Sequence, residues 1–541
     1  MPSPTPSRTS STALFGVILF VLLLLGLFVH LGLAPLRLEE PRRALISLEM
    51  LFRNNWVVPT EMGEYYYKKP PVYNWVIGAS YWLWGNHSEW AVRFLSVVSF
   101  VATGGLVFAM GRRYVDRTFG IYAGLLTLAM VDIVFYFSTA AGEIDLFYSL
   151  ITLASFFTLF HFYQRQHYYA MFVVTYALGA VGTLTKGLPS PVFLGVSVLV
   201  WLAYRRDLRR LFSGAHLAGI GVFVVLVGGY FAYYNLFNDV ALYFTSDESL
   251  WSQTSERTAF QNSLGTLVSH LLIFPLETLK NVAPATLLLP FLLRRGTLRE
   301  LMQQPFVGFC LLMLAGNGLV YWLSPGTRSR YVYMLYPLLV IVLTYGYYSY
   351  PLTADVRHRI FRTSVRVLLV LTAVAGLVLP FVPLPEVPFS PGAVAAALVL
   401  GATGLLVLQG RQPHHSLLVV IALVILIRLV FNFTILPARA TAGKGYEQKK
   451  YGLRVAALTQ GEELHLYPGT RFSLTTVFYI ERARQEVLAY QTPDEGRGYF
   501  LVDAQLLTDQ KYTVFYTFTA YDREFLLVTF RANQPYPPSE P

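Results

Sequence analysis

Four short segments carry carboxylates and cations at the ends of apolar runs, and one more carries arginines alone. They are Leu38-Glu39-Glu40-Pro41-Arg42-Arg43-Ala44, Tyr65-Tyr66-Tyr67-Lys68-Lys69-Pro70-Pro71, Gly142-Glu143-Ile144-Asp145 and Leu184-Thr185-Lys186-Gly187-Leu188-Pro189. The fifth and weaker one is Ser324-Pro-Gly-Thr-Arg328-Ser-Arg330-Tyr331. Charges beside a membrane are costly, so an ionisable group at the end of an apolar run is a functional candidate. Carboxylates flanked by Lys and Arg suit a reaction on a phosphate-linked substrate. The cations hold the phosphate and offset the charge that develops on it as it leaves. A carboxylate opposite takes a proton from an incoming hydroxyl, or steadies positive charge building on a sugar ring. Each residue also has a structural reading. Asp145 complements a helix dipole, Lys186 snorkels to an interface, Arg42 and Arg43 pair with Glu39 and Glu40, and Arg328 and Arg330 anchor a helix end.

The elements that must position these groups are membrane spans. Of 541 residues, 55% are hydrophobic and 13% charged, about half the charge of a soluble domain. About 20 apolar residues cross a bilayer as a helix. Such runs are predicted near 13–33, 91–111, 119–138, 144–163, 169–184, 190–204, 217–237, 279–293, 305–323, 331–349, 364–382, 392–409 and 415–436, thirteen in all. The first run resembles a signal peptide in position but lacks a small-residue cleavage site, and is expected to be a retained span. The net charge of +11 does not point to nucleic acid, because the basic residues sit in short loops between the runs. With the N-terminus inside, Arg112-Arg113, Arg205-Arg206, Arg294-Arg295 and Arg357 to Arg362 fall on one face, which the positive-inside rule makes cytoplasmic. The four charged segments then fall on the outer face. Loop 34–90 breaks the rule with Arg37, Arg42, Arg43, Arg53, Lys68 and Lys69, and binding an anion accounts for cations kept on that side. Its Tyr, Trp and Leu residues suit helices lying along the interface.

After about residue 437 the chain turns polar, with strand-like runs at Glu463–Tyr467, Thr513–Phe518 and Phe525–Phe530. Residues 438–541 are therefore expected to form a small α/β domain on the outer face, periplasmic in a Gram-negative cell, and residues 1–437 an all-α transmembrane domain. The single cysteine, Cys310, allows no intramolecular disulfide and no cysteine cluster for metal. No internal repeat of the kind secondary transporters carry is visible.

At these motifs the chain resembles the GT-C superfamily of membrane glycosyltransferases, in the branch holding lipid A aminoarabinose transferase and bacterial protein O-mannosyltransferase-like enzymes. The resemblance rests on Glu39-Glu40-Pro41-Arg42, Glu49-Met50, Trp56-Val57-Val58-Pro59, Tyr66-Tyr67-Lys68-Lys69-Pro70, Gly85…Glu89…Arg93, Asp145 and Lys186-Gly187-Leu188-Pro189. Thirteen spans and an outer C-terminal domain are also that family's layout. The resemblance implies a polyprenyl-phosphate sugar as donor, inversion at the anomeric carbon, and a bacterial inner-membrane enzyme whose acceptor is lipid A, another glycolipid or a protein. It implies Glu39 and Asp145, with Glu40 and Glu143 beside them, as the acidic centre. Arg42, Lys69, Lys186, Tyr66, Arg330 and Tyr331 would bind the carrier phosphate. Which of Glu39 and Asp145 acts as base stays open.

Two departures stand out. The family has Asp where this chain has Glu39, one methylene longer. Some members hold a divalent metal through a Glu before the Lys-Pro, where this chain has Lys68; His270 is the remaining candidate ligand. The rival reading from another class, a flippase or transporter for a lipid-linked sugar, calls for functional charges deep within the spans rather than at one face.

Overall fold

A computed structural model describes residues 6–136, 141–246, 264–350, 355–382, 390–494, 497–507, 511–520 and 522–530. Among them, ten helical segments are long and apolar enough to cross a membrane: Ser11–Phe28, Glu89–Tyr114, Arg117–Tyr136, Ile144–Gln164, Tyr168–Lys186, Gly214–Tyr234, Pro305–Trp322, Val356–Phe381, Pro391–Arg411 and Pro413–Thr441. Pro189–Tyr204 and Tyr336–Tyr348 are shorter apolar helices. The chain is thus a multi-pass membrane protein, and each of these twelve segments overlaps a span read from the sequence. The run at 279–293 differs. It is no straight helix: Gly265–Asn281 and Ala285–Phe291 meet at 111°.

Local chemistry sets the helix ends. Helices are α1 (Pro6–Phe28), α2 (Glu40–Phe52), α3 (Val72–Trp84), α4 (Glu89–Tyr114), α5 (Arg117–Leu128), α6 (Ile144–Gln164), α7 (Tyr168–Lys186), α8 (Pro189–Tyr204) and α9 (Gly214–Tyr234). Ser88 and Asp116 cap α4 and α5 by accepting from the amides of Ala91 and Phe119. Prolines open α2 and α8 in the first turn, where no amide is needed. α4 and α5 pack closely because a Cβ at Gly120 would stand 2.7 Å from the Phe108 carbonyl oxygen. Helices such as α9 and Pro391–Arg411 instead leave apolar side chains including Val225 and Leu400 exposed, a surface suited to lipid.

Loop 34–90 folds into α2, a small hairpin of β1 (Thr60–Glu61) and β2 (Glu64–Tyr65), and α3. α2 is buried along most of its length, whereas α3 exposes Trp82, Leu83 and Trp84. The C-terminal domain carries helices Lys444–Leu458 and Leu474–Arg484 and a sheet in the order β3 (Leu464–Leu466), β4 (Tyr499–Asp503), β6 (Arg523–Phe530), β5 (Tyr512–Ala520). β3 and β4 are parallel and the other pairs antiparallel. The three expected strands are present, and β4 joins them. The domain docks its Leu474–Arg484 helix on α2, and a shared apolar core holds Leu45, Leu48, Tyr81, Phe478 and Ile480.

Candidate functional site

The charged segments converge at one end of the bundle, opposite the arginine-rich turns. Asp145 lies in the first turn of α6, where the helix dipole favours a carboxylate. Lys186 is the last residue of α7, which ends at Gly187 with φ +86°, a conformation that suits glycine. The Lys186 Nζ stands 2.5 Å from Asp145 Oδ1, and both side chains are buried. The ammonium also lies over the rings of Tyr148 and Tyr331, 4.9 and 5.0 Å from their centroids.

Glu143 precedes α6 and pairs with Arg330 at 2.7 Å. Its other oxygen, Oε1, is buried without a hydrogen-bond partner. Burial, with Asp145 as the next contributor, pushes the Glu143 carboxyl up to about 8, against the pull of Arg330. Glu39 and Glu40 add to the same effect, so the four expected carboxylates share one electrostatic environment.

Glu39 sits at the N-terminus of α2, directly after Leu38, whose φ of 59° is left-handed and strained for a side chain of that size. Arg42 joins Glu39 to the hairpin, reaching Glu39 at 2.6 Å and Glu61 at 2.8 Å. Burial raises the Glu39 carboxyl, but Arg42, Arg43 and Arg330 outweigh it and hold the group below its ordinary value. Glu40 turns the other way. It is fully buried and pairs with Arg93 at 2.9 Å, and burial holds its carboxyl above the ordinary value. Tyr66 is buried and its hydroxyl accepts from Arg43 at 2.9 Å. Lys69 is half-buried in the stretch between β2 and α3.

Beside Arg330 opens a cavity of about 480 Å³, lined by Asp132, Glu277, Lys280, Asn281, Arg328 and Tyr333 among others. Some of its polar lining comes from the bent segment near 281, which a hydropathy reading folds into a span. Glu61 and Tyr148 are further partners of the cluster without a role in the sequence reading, and Arg93 entered that reading only as part of a motif. Tyr148 has a sequence signal, since it lies one helical turn after Asp145. Glu61 has none, because only the hairpin brings it to Arg42.

Among the described residues no donor set for a metal is assembled. Lys68 occupies the position at which the resemblance would place a carboxylate ligand. His270 has its Nε2 3.2 Å from the carbonyl oxygen of Tyr321.

The chain is similar to known proteins in sequence and in fold. The family model for dolichyl-phosphate-mannose-protein mannosyltransferase matches residues 68–230. An undecaprenyl phosphate-alpha-4-amino-4-deoxy-L-arabinose arabinosyl transferase of Serratia proteamaculans is 42% identical over 103 residues, 18% of each chain. A second from Sodalis glossinidius is 29% identical over 184 residues, 33% of each chain. The chain therefore aligns with about a third or less of the length of these two relatives. The crystal structure of ArnT from Cupriavidus metallidurans in the apo state superposes with a TM-score of 0.68 at 19% identity, covering 98% of this chain and 100% of that one. The same protein bound to undecaprenyl phosphate gives 0.65 at 18% identity, covering 96% and 99%. The chain thus has the GT-C fold of these two structures over nearly its whole length.

Proposed function

We propose that this protein transfers a sugar residue, hexose or pentose, from a polyprenyl-phosphate donor to lipid A or a related glycolipid, with inversion at the anomeric carbon. The reaction takes place on the outer face of a bacterial inner membrane, with the C-terminal domain in the periplasm. The observation that carries this reading is the pairing of Asp145 with Lys186 and of Glu143 with Arg330 at one end of an otherwise apolar bundle. A donor phosphate entering between Lys186, Arg330 and Lys69 draws Lys186 and Arg330 from their carboxyl partners to phosphate oxygens. The bond from the anomeric carbon to the phosphate oxygen breaks, and its electron pair stays on the phosphate, where the cations offset the charge. The acceptor oxygen attacks from the opposite face. A phosphate acceptor is already an anion and needs no base; a hydroxyl acceptor gives its proton to Glu39 or Asp145.

The curated relatives support the donor class: their names specify undecaprenyl phosphate and an amino sugar. The test is turnover of an undecaprenyl-phosphate amino sugar by purified protein in detergent, with lipid A as acceptor. Asp145→Asn and Glu39→Gln are each expected to abolish transfer while undecaprenyl phosphate still binds. Near wild-type transfer by the double carboxamide variant would refute the mechanism. A flippase would leave the donor unconsumed.

A further inference from the structure

Helix α4 carries Glu89 and Arg93 one turn apart, and the two side chains reach in different directions. Arg93 is buried and divides its N–H groups between the segment before α2 and Glu40, the first residue of α2. Its Nη1 donates to the carbonyls of Leu31 (2.7 Å) and Ala34 (2.9 Å), and its Nη2 to Pro35 (3.0 Å) and, more loosely, to Glu40. Its Nε donates to Glu40 (2.9 Å). Glu89 faces the C-terminal domain and accepts from Lys449 (2.6 Å), Tyr479 (2.8 Å) and Arg482 (2.9 Å). The Tyr479 hydroxyl closes the loop: while donating to Glu89, it accepts from the backbone amide of Leu36 (3.1 Å).

We infer that Tyr479 and Glu89 are positioning residues for Glu39, so that the C-terminal domain is part of the apparatus that sets the reacting carboxylate. The segment 36–39 needs such restraint, because Leu38 is held in the left-handed region that a leucine leaves when released. Arg93 fixes the carbonyls up to Pro35, Glu40 fixes the start of α2, and Tyr479 supplies the hold on Leu36 between them. One turn further along α4, Ser96 donates to the Glu143 carbonyl at 3.1 Å, so the same helix face also registers the second carboxylate loop. Tyr479 is buried, and its hydroxyl, with donor and acceptor roles both used, has no equivalent in phenylalanine.

The catalytic consequence rests on the transfer reading above, so the test has an arm that does not. Tyr479→Phe keeps the ring and removes the hydroxyl. It is expected to lower kcat roughly tenfold to a hundredfold, the scale of a slightly misplaced reacting group, with donor KM and the melting temperature of the detergent-solubilised protein little changed. Glu89→Ala should match that loss. Glu89→Gln, which still accepts from Tyr479, should recover part of it. For the second arm, Leu38→Cys carries a nitroxide label; the native Cys310 is fully buried. The label's spectrum is expected to sharpen when Tyr479→Phe is added. Wild-type kcat in Tyr479→Phe would overturn the inference. Should the wild-type protein transfer no sugar, the functional reading fails, and the label then decides: an unchanged spectrum overturns the positioning role, and a sharpened one sustains it.

Discussion

Lys186 stands 2.5 Å from Asp145, and the two side chains come from helices that end and begin at the same level of the bundle. A buried pair of this kind contributes little against an apolar replacement, but removing one partner strands the other charge, at a cost of about 3–5 kcal/mol. Lys186→Ala is therefore expected to destabilise the protein by that order and to weaken undecaprenyl-phosphate binding. Combining Asp145→Asn with Lys186→Met should restore most of the stability and none of the transfer. Denaturation in detergent and binding titrations measure the two effects. Additive losses in the double variant would show that the pair does not act as a unit.

In the proposed reaction Glu143 sets a pH limit on donor binding. Its carboxyl is pushed up to about 8 by burial and by Asp145, so as pH falls below that value it gives up its charge and loosens its hold on Arg330. Above pH 8 the ionised carboxylate competes for that guanidinium. Donor KM is expected to rise above pH 8 in the wild-type protein and to stay flat across pH 6–9 in Glu143→Gln, whose amide stands in for the protonated acid. A KM profile of the same shape in both proteins would assign the limb to another group.

The bundle and its charged end were legible because hydropathy reports membrane spans and because a Lys, Asp or Glu at a span end is conspicuous. What hydropathy does not report is direction. Residues 279–293 are apolar enough to suggest a span, but the chain bends by 111° after Asn281, and that bend carries Glu277 and Lys280 to the cavity beside Arg330. β4 escaped notice because Tyr499-Phe-Leu-Val-Asp503 is buried throughout and lacks the alternation of a half-exposed strand. Glu40 and Glu39 are neighbours in sequence with opposite fates. A helix start separates their side chains, one toward Arg93 and one toward Arg42. Charge spacing alone puts them in one site.

The docking of the C-terminal domain on α2 brings together two buried acids. Glu49 accepts from Thr60 and from the amides of Met62 and Gly63, yet burial pushes its carboxyl up to about 7. Glu481 is fully buried, and burial and then Glu49 push its carboxyl well above the ordinary value. For an acid whose folded pKa lies above its unfolded value of about 4.3, the folded state holds the extra proton between the two. Stability is then greatest at low pH and falls as pH rises toward 7. The melting temperature should accordingly fall as pH rises from 5 through 7. Glu49→Gln should flatten that limb and raise stability at pH 8. A limb that survives when Glu49→Gln and Glu481→Gln are combined would exclude this pair as its source.

Arg42 is held by two carboxylates at once, Glu39 at 2.6 Å and Glu61 at 2.8 Å, so its role toward the donor depends on which one lets go. Glu61 belongs to the hairpin and is nowhere near the reacting end in sequence, whereas Glu39 belongs to the carboxylate cluster. If Arg42 binds the carrier phosphate, Glu61 is its competitor, and removing that charge frees a guanidinium already aimed by α2. Glu61→Gln is then expected to tighten undecaprenyl-phosphate binding by roughly twofold to fivefold, the scale of a partly exposed ion pair. The gain should shrink as salt rises, because screening acts on the same attraction. Arg42→Lys keeps the charge but loses the planar fork that spans both carboxylates, so it should bind donor less tightly than Glu61→Gln at every salt concentration. Equal affinities for wild type and Glu61→Gln at low salt would leave Arg42 as a tie between α2 and the hairpin and remove it from the phosphate site.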